Sequence, residues 1–171
     1  MDTERGIVLT GFMGVGKSSV ARHVAHLLRS KRVDLDQELE HGERRSVAEI
    51  IDSEGETAFR DIESRYLRQA LDRPDLRVLS LGGGTWTLER NREMIKASGL
   101  TSVWLESTFE HCWLNIAFSR KDRPLARDKQ RALELFEQRQ KYYALADWHF
   151  VIRADSTSFD VAKQIIEQVF S

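Results

Sequence analysis

The sequence predicts an α/β fold: a parallel sheet of five strands flanked by helices, formed by a chain of 171 residues. Three observations predict it. Five short apolar runs recur along the chain, at Ile7–Thr10, 32–35, 78–81, 102–105 and 149–152. They are mostly β-branched or aromatic and too short to be helices. Helical patterns separate the runs, and strands that alternate with helices form βαβ units around a parallel sheet. Finally, a glycine-rich stretch joins the first run directly to the first helical pattern.

Each element follows from its spacing. Residues 18–29 place Val20, Ala21, Val24, Leu27 and Leu28 on one helical face. Residues Glu56–Leu71 carry Phe59, Ile62, Tyr66, Leu67 and Ala70 at similar intervals. Helices over 108–118, 130–143 and 158–170 complete the set. The stretch 46–71 reads as helical throughout, so the second crossover is long. An insertion at about 36–72, on the rim of the sheet, is a place to build a substrate pocket.

Composition narrows the function. At this length one domain over 1–171 is expected. Lys and Arg total 26 against 27 Asp and Glu, a formal net charge of -1. That balance excludes the broad basic footprint of a nucleic-acid binder and a like-charged disordered tail. The one cysteine, Cys112, forms no intramolecular disulfide and belongs to no Cys-x-x-Cys pair. It reads as a small buried hydrophobe. His23 and His26 have no third ligand beside them and read as surface residues. No run approaches the roughly 18 apolar residues of a membrane helix. Met1-Asp2-Thr3-Glu4-Arg5 leads into no secretory apolar segment. The expectation is a cytoplasmic monomer in a reducing compartment, with neither membrane nor nucleic acid as partner.

Gly11-Phe12-Met13-Gly14-Val15-Gly16-Lys17-Ser18 matches the phosphate-loop pattern G-x-x-x-x-G-K-[ST] in full. Its glycines let successive backbone N–H groups turn toward phosphates, and the following helix adds its positive dipole end. Lys17 supplies a point charge for the β- and γ-phosphates, and the Ser18 hydroxyl is placed for Mg²⁺. The loop predicts a nucleoside triphosphate but leaves the acceptor open. No Asn-Lys-x-Asp guanine signature is present, and the chain is short for an oligomeric ATPase. A small-molecule kinase fits the size best.

Asp34-Leu35-Asp36 closes the second candidate strand. Alternation along a strand places both carboxylates on one face, and ligands of parallel sheets bind beyond the carboxyl ends of strands. One carboxylate can hold a metal through water. The other can orient or deprotonate an acceptor hydroxyl.

Five motifs in order resemble the shikimate kinase family: Gly11 to Ser18, Asp34-Leu35-Asp36, Gly55-Glu56-x-x-Phe59-Arg60-x-x-Glu63, Leu81-Gly82-Gly83-Gly84 and Arg123-Pro124-Leu125. The resemblance spans nearly the whole chain. It implies a three-layer P-loop fold with strand order 2-3-1-4-5. It also implies transfer of the ATP γ-phosphoryl to the 3-hydroxyl of shikimate, with Mg²⁺ as cofactor, on the route to aromatic amino acids. By the same resemblance Gly14, Val15, Gly16, Lys17, Ser18 and Ser19 hold ATP, and Ser18 and Asp34 hold the metal. Asp36 is the base, and Arg60 and Arg139 bind the shikimate carboxylate. Glu63 orients Arg60 or a hydroxyl contact, while Gly82, Gly83 and Gly84 close on the substrate. Arg123 is the arginine of a lid at about 115–130 and stabilises transition-state charge. Arg120 is the nearest candidate for the arginine over adenine.

Two rivals remain at this point. One is a kinase of the same architecture for another small polyol acid such as gluconate. An acceptor without a carboxylate leaves Arg60 and Arg139 unpaired. The other is a nucleotide-binding regulatory module without catalysis, against which the intact Lys17, Asp36, Arg60 and Arg123 speak.

Overall fold

The computed structural model describes residues 5–171, so the reading of Met1 to Glu4 as free of a secretory segment lies outside the described residues. Five parallel strands, β1 (Ile7–Thr10), β2 (Arg32–Asp34), β3 (Val78–Ser80), β4 (Thr101–Glu106) and β5 (Trp148–Val151), form one sheet in the order β2-β3-β1-β4-β5. That is the predicted order. Ile7, Val8 and Leu9 of the central β1 are completely buried, as a strand covered on both faces requires. Register is continuous across the middle of the sheet, with Leu9 beside Ser80 on one side and Val103 on the other.

Among the described residues eight α-helices accompany the sheet: α1 (Lys17–Leu27), α2 (Leu35–Glu43), α3 (Val47–Glu54), α4 (Glu56–Leu71), α5 (Glu89–Ser98), α6 (Phe109–Phe118), α7 (Lys129–Tyr143) and α8 (Ser158–Val169). The core is continuous around β1 and takes Val20, Ala21 and Val24 from α1 and Val161 and Ile165 from α8. Leu39, Ile50 and Phe59 form a second, smaller apolar cluster between α2, α3 and α4. These three helices are the connection from β2 to β3.

Three expectations change. The stretch 46–71 is two helices, broken at Gly55, whose φ of 90° and ψ of 166° leave the helical region. Asp34 and Asp36 do not share a strand face. β2 ends at Asp34 because that carboxylate caps α2, accepting from the Gln37 N–H at 3.1 Å, and Asp36 lies in the first helical turn. Aspartate is among the preferred N-caps, so one residue ends the strand and starts the helix. Helix α5 escaped the periodicity reading because its buried face is narrow and partly polar. Asn91 is fully buried there, accepting from the Ser64 hydroxyl and donating to the Thr85 carbonyl.

Candidate active site

The phosphate loop occupies the turn between β1 and α1. Gly14 and Gly16 hold φ at 78° and 108°, a region that L side chains rarely adopt. A Cβ at Gly14 would also strike the Cys112 carbonyl of α6. Asn115, one turn further along α6, donates to the Gly14 carbonyl at 2.7 Å. Lys17 is buried, with its Nζ donating to the carbonyls of Gly11 at 2.6 Å and Phe12 at 3.0 Å. Burial depresses its pKa to about 8, with Cys112 and Asp36 pulling the other way.

Ser18, at the start of α1, donates to Asp34 Oδ2 at 2.9 Å. A hydroxyl and a carboxylate thus meet beside the loop. This pair of hard oxygens suits Mg²⁺, which takes few protein ligands and completes its shell with phosphate and water. Among the described residues, no group of three or more His, Cys, Asp or Glu side chains forms a dedicated metal cage.

Beyond β3, the glycine run is a surface on which three charged side chains rest. A Cβ at Gly82 would lie 2.9 Å from Asp36 Oδ1, and one at Gly83 would lie 3.2 Å from an Arg139 nitrogen. One at Gly84 would collide with the Arg60 guanidinium. Side chains at these positions would displace the very groups that the turn supports. Arg60 pairs with Glu63 at 2.9 Å and with Glu56 at 3.4 Å. Glu63 is 1% exposed and accepts from the Thr85 hydroxyl at 2.9 Å. Burial pushes its carboxyl up from the ordinary range against the pull of Arg60. Arg139, on α7, is 5% exposed, and burial lowers its pKa. Its neighbour Tyr143 donates to the Gly83 carbonyl at 2.6 Å, and Trp86 Nε1 donates to the Tyr142 carbonyl at 2.8 Å. The end of α7 and the glycine turn are therefore fixed to each other. Trp86 serves this junction.

Two adjoining hollows result. The first holds Arg60, Glu63, Arg139 and the glycine run, with Val47, Ile51, Phe59 and Leu125 as an apolar wall. The second follows the phosphate loop from Gly14 to Ser19 and includes Asp34, His111 and Asn115. Asp36 and Arg123 border both. Arg123 Nη1 is buried with no hydrogen-bond partner among the described residues. The segment expected as a lid at about 115–130 starts inside α6, and the stretch between helices is 119–128. Arg127 ties that stretch to α3, meeting Asp52 and Asp122 each at 2.7 Å.

Of the residues singled out from sequence, Arg120 alone stands outside both hollows, exposed beyond α6. His111, Asn115, Lys121 and Tyr143 were not singled out for the site. No loop or strand motif marks them, since their positions depend on how α6, α7 and the 119–128 segment pack.

A family model described as "Shikimate kinase" matches residues 13–170. The chain belongs to the shikimate kinase family. A shikimate kinase of Persephonella marina is 39% identical over 148 residues, covering 84% of this chain and 86% of that one. The solved shikimate kinase from Acinetobacter baumannii, in complex with shikimate, superposes with a TM-score of 0.89 at 30% identity, covering 97% and 93% of the two chains. A gluconokinase from Sinorhizobium meliloti has a TM-score of 0.65 at 14% identity over 97% of this chain and 92% of its own, a likeness of fold alone. As a member of the shikimate kinase family the chain is an ATP-dependent kinase.

Proposed function

We propose that this chain transfers the γ-phosphoryl group of ATP to the 3-hydroxyl of shikimate. The observation that carries the acceptor is the pair of guanidiniums against the glycine turn, Arg139 buried and Arg60 partly so. Arg60 has Glu63 and Glu56 as partners, but Arg139 has no carboxylate within ion-pair distance among the described residues. A buried cation without a counter-charge is costly, and a carboxylate ligand supplies the charge in planar, two-oxygen form. This favours an acid with hydroxyls over a neutral polyol.

Position supports the following roles. The loop N–H groups and Lys17 hold the ATP phosphates, with Ser19 beside them. Ser18 and Asp34 would hold Mg²⁺, which would supply charge neutralisation for the phosphates. Arg60 and Arg139 fix the shikimate carboxylate, and Glu63 orients Arg60. Asp36 accepts the proton of the attacking hydroxyl. The orphan Nη1 of Arg123 is available to the charge that develops on the transferring group; such arginines contribute roughly 10³–10⁵ in rate in other phosphoryl-transfer enzymes. The 119–128 segment acts as the lid and excludes water, which would otherwise compete as acceptor. Arg120 remains the candidate for adenine, reached if the lid carries it inward. No helix among the described residues is long and apolar enough to cross a membrane, and a cytoplasmic monomer belongs to the same reading.

The test is ADP release with ATP and Mg²⁺, comparing shikimate, gluconate and no acceptor. Stimulation by shikimate alone is expected. Equal stimulation by gluconate, which also carries a carboxylate, would leave the acid site in place and overturn the choice of shikimate, and no stimulation with ATP still bound would favour the regulatory module or another acceptor.

A further inference from the structure

Six residues border both hollows: Met13, Asp36, Gly82, Gly83, Lys121 and Arg123. An acceptor in one hollow meets a phosphoryl group in the other across these residues. Three of them are charged. Asp36 and Arg123 already have roles in the proposed reaction, whereas Lys121 has none.

Lys121 sits on the 119–128 segment, where the Ser119 hydroxyl accepts from its backbone N–H at 3.1 Å. Its Nζ reaches across to Asp36 Oδ2 at 3.4 Å. That is long beside the 2.7–2.9 Å typical of a charge-assisted hydrogen bond, so this contact leaves most of the ammonium's bonding capacity unused. The Lys121 side chain is 42% exposed against 22% for Asp36. Its four-carbon stem is free to turn its three donors, while the segment behind it is held to α3 by Arg127 and Asp52.

We propose that Lys121 is a second catalytic cation of this segment, donating to the γ-phosphoryl oxygens as the group is transferred. It exchanges its contact with Asp36 for one with the phosphoryl group and leaves the Asp36 carboxylate to the acceptor hydroxyl. The inference rests on the kinase reading above. In the step, the bond from the γ-phosphorus to the bridging oxygen of ADP breaks, and a bond from phosphorus to the acceptor oxygen forms. The hydroxyl proton goes to Asp36. Lys121 stays protonated throughout and offsets the charge on the equatorial oxygens together with Lys17 and Arg123.

The experiment compares wild type, Lys121→Met and Lys121→Arg in turnover, and in calorimetric binding of ADP and of the non-hydrolysable β,γ-imido analogue of ATP. Expected for Lys121→Met is a loss of about 10–100-fold in kcat and about tenfold weaker analogue binding, the effect of one charge-assisted hydrogen bond. ADP binding should stay within about twofold, because the lost contact is to the γ-phosphate, and Lys121→Arg should recover most of both losses. Unchanged kcat and analogue affinity, or equal weakening of analogue and ADP, would overturn the proposal. So would a rise in kcat, which would make Lys121 a brake on Asp36. The binding arm needs no acceptor and judges Lys121 by itself; a wild-type enzyme unmoved by shikimate fails the acceptor reading alone.

Discussion

The Arg60 guanidinium lies against the backbone of Gly84 so closely that the smallest side chain there would collide with it. Gly84 itself has φ of -110° and ψ of -5°, a conformation open to alanine. Gly84→Ala should therefore fold normally and act only by pushing Arg60 aside. The expected result is a shikimate KM raised by about tenfold or more, the loss of one charged hydrogen bond, with the ATP KM within about twofold. Steady-state kinetics with each substrate varied checks this. Parallel losses for both substrates would place Arg60 outside the acid site.

Asn115 makes the opposite prediction. Its amide holds the Gly14 carbonyl at 2.7 Å from outside the loop, so Asn115→Ala loosens the phosphate cradle without reaching the acid hollow. One net hydrogen bond is worth about 0.5–1.5 kcal/mol, which corresponds to an ATP KM raised about 2–10-fold. The shikimate KM should not move in the same assay.

Asp34 can be tested without disturbing α2. Asparagine caps a helix as well as aspartate does, so Asp34→Asn keeps the Gln37 contact while removing the charge proposed for the metal and the oxygen that accepts from Ser18. The Mg²⁺ concentration for half-maximal activity should rise by about tenfold, with the thermal midpoint little changed. An unaltered Mg²⁺ titration would mean that Asp34 serves only as a cap.

Cys112 gives a pH signature. Burial raises its pKa from the ordinary 9.0 to about 11. Between these values the unfolded chain releases the thiol proton and the folded chain keeps it, so this group's contribution to stability falls as pH rises. Against Cys112→Ala, whose loss of packing is indifferent to pH, the wild-type advantage should shrink by about 1 kcal/mol between pH 8 and 10. Urea unfolding at both pH values measures it. A constant difference would mean that the thiol ionises as freely in the fold as outside it.

The strands and phosphate loop were legible because they depend on local signals: β-branched runs, and glycines where φ must be positive. The Phe59-Arg60 to Glu63 spacing was legible too, as one turn of α4. The spacing of Asp34 and Asp36 suggests a strand pair, but Asp34 carries two signals at once, a strand end and a helix cap, and the cap prevails. Lys121, Tyr143 and Asn115 had no such marker. Lys121 and Asp36 are 85 residues apart, and Asn115 and Gly14 are 101 apart. Contacts of that range are fixed by packing, which single-sequence periodicity does not encode.

Lys17 satisfies two carbonyls of its own loop, at Gly11 and Phe12. The charge that a phosphate needs thus also acts as an internal strut, joining the two ends of the turn before any nucleotide arrives. A loop braced in this way loses little chain entropy when it closes on phosphates. Encounter with ATP then resembles filling a rigid mould rather than ordering a flexible one. Association should consequently proceed at a rate set by diffusion and charge, leaving conformational delay to the 119–128 segment alone.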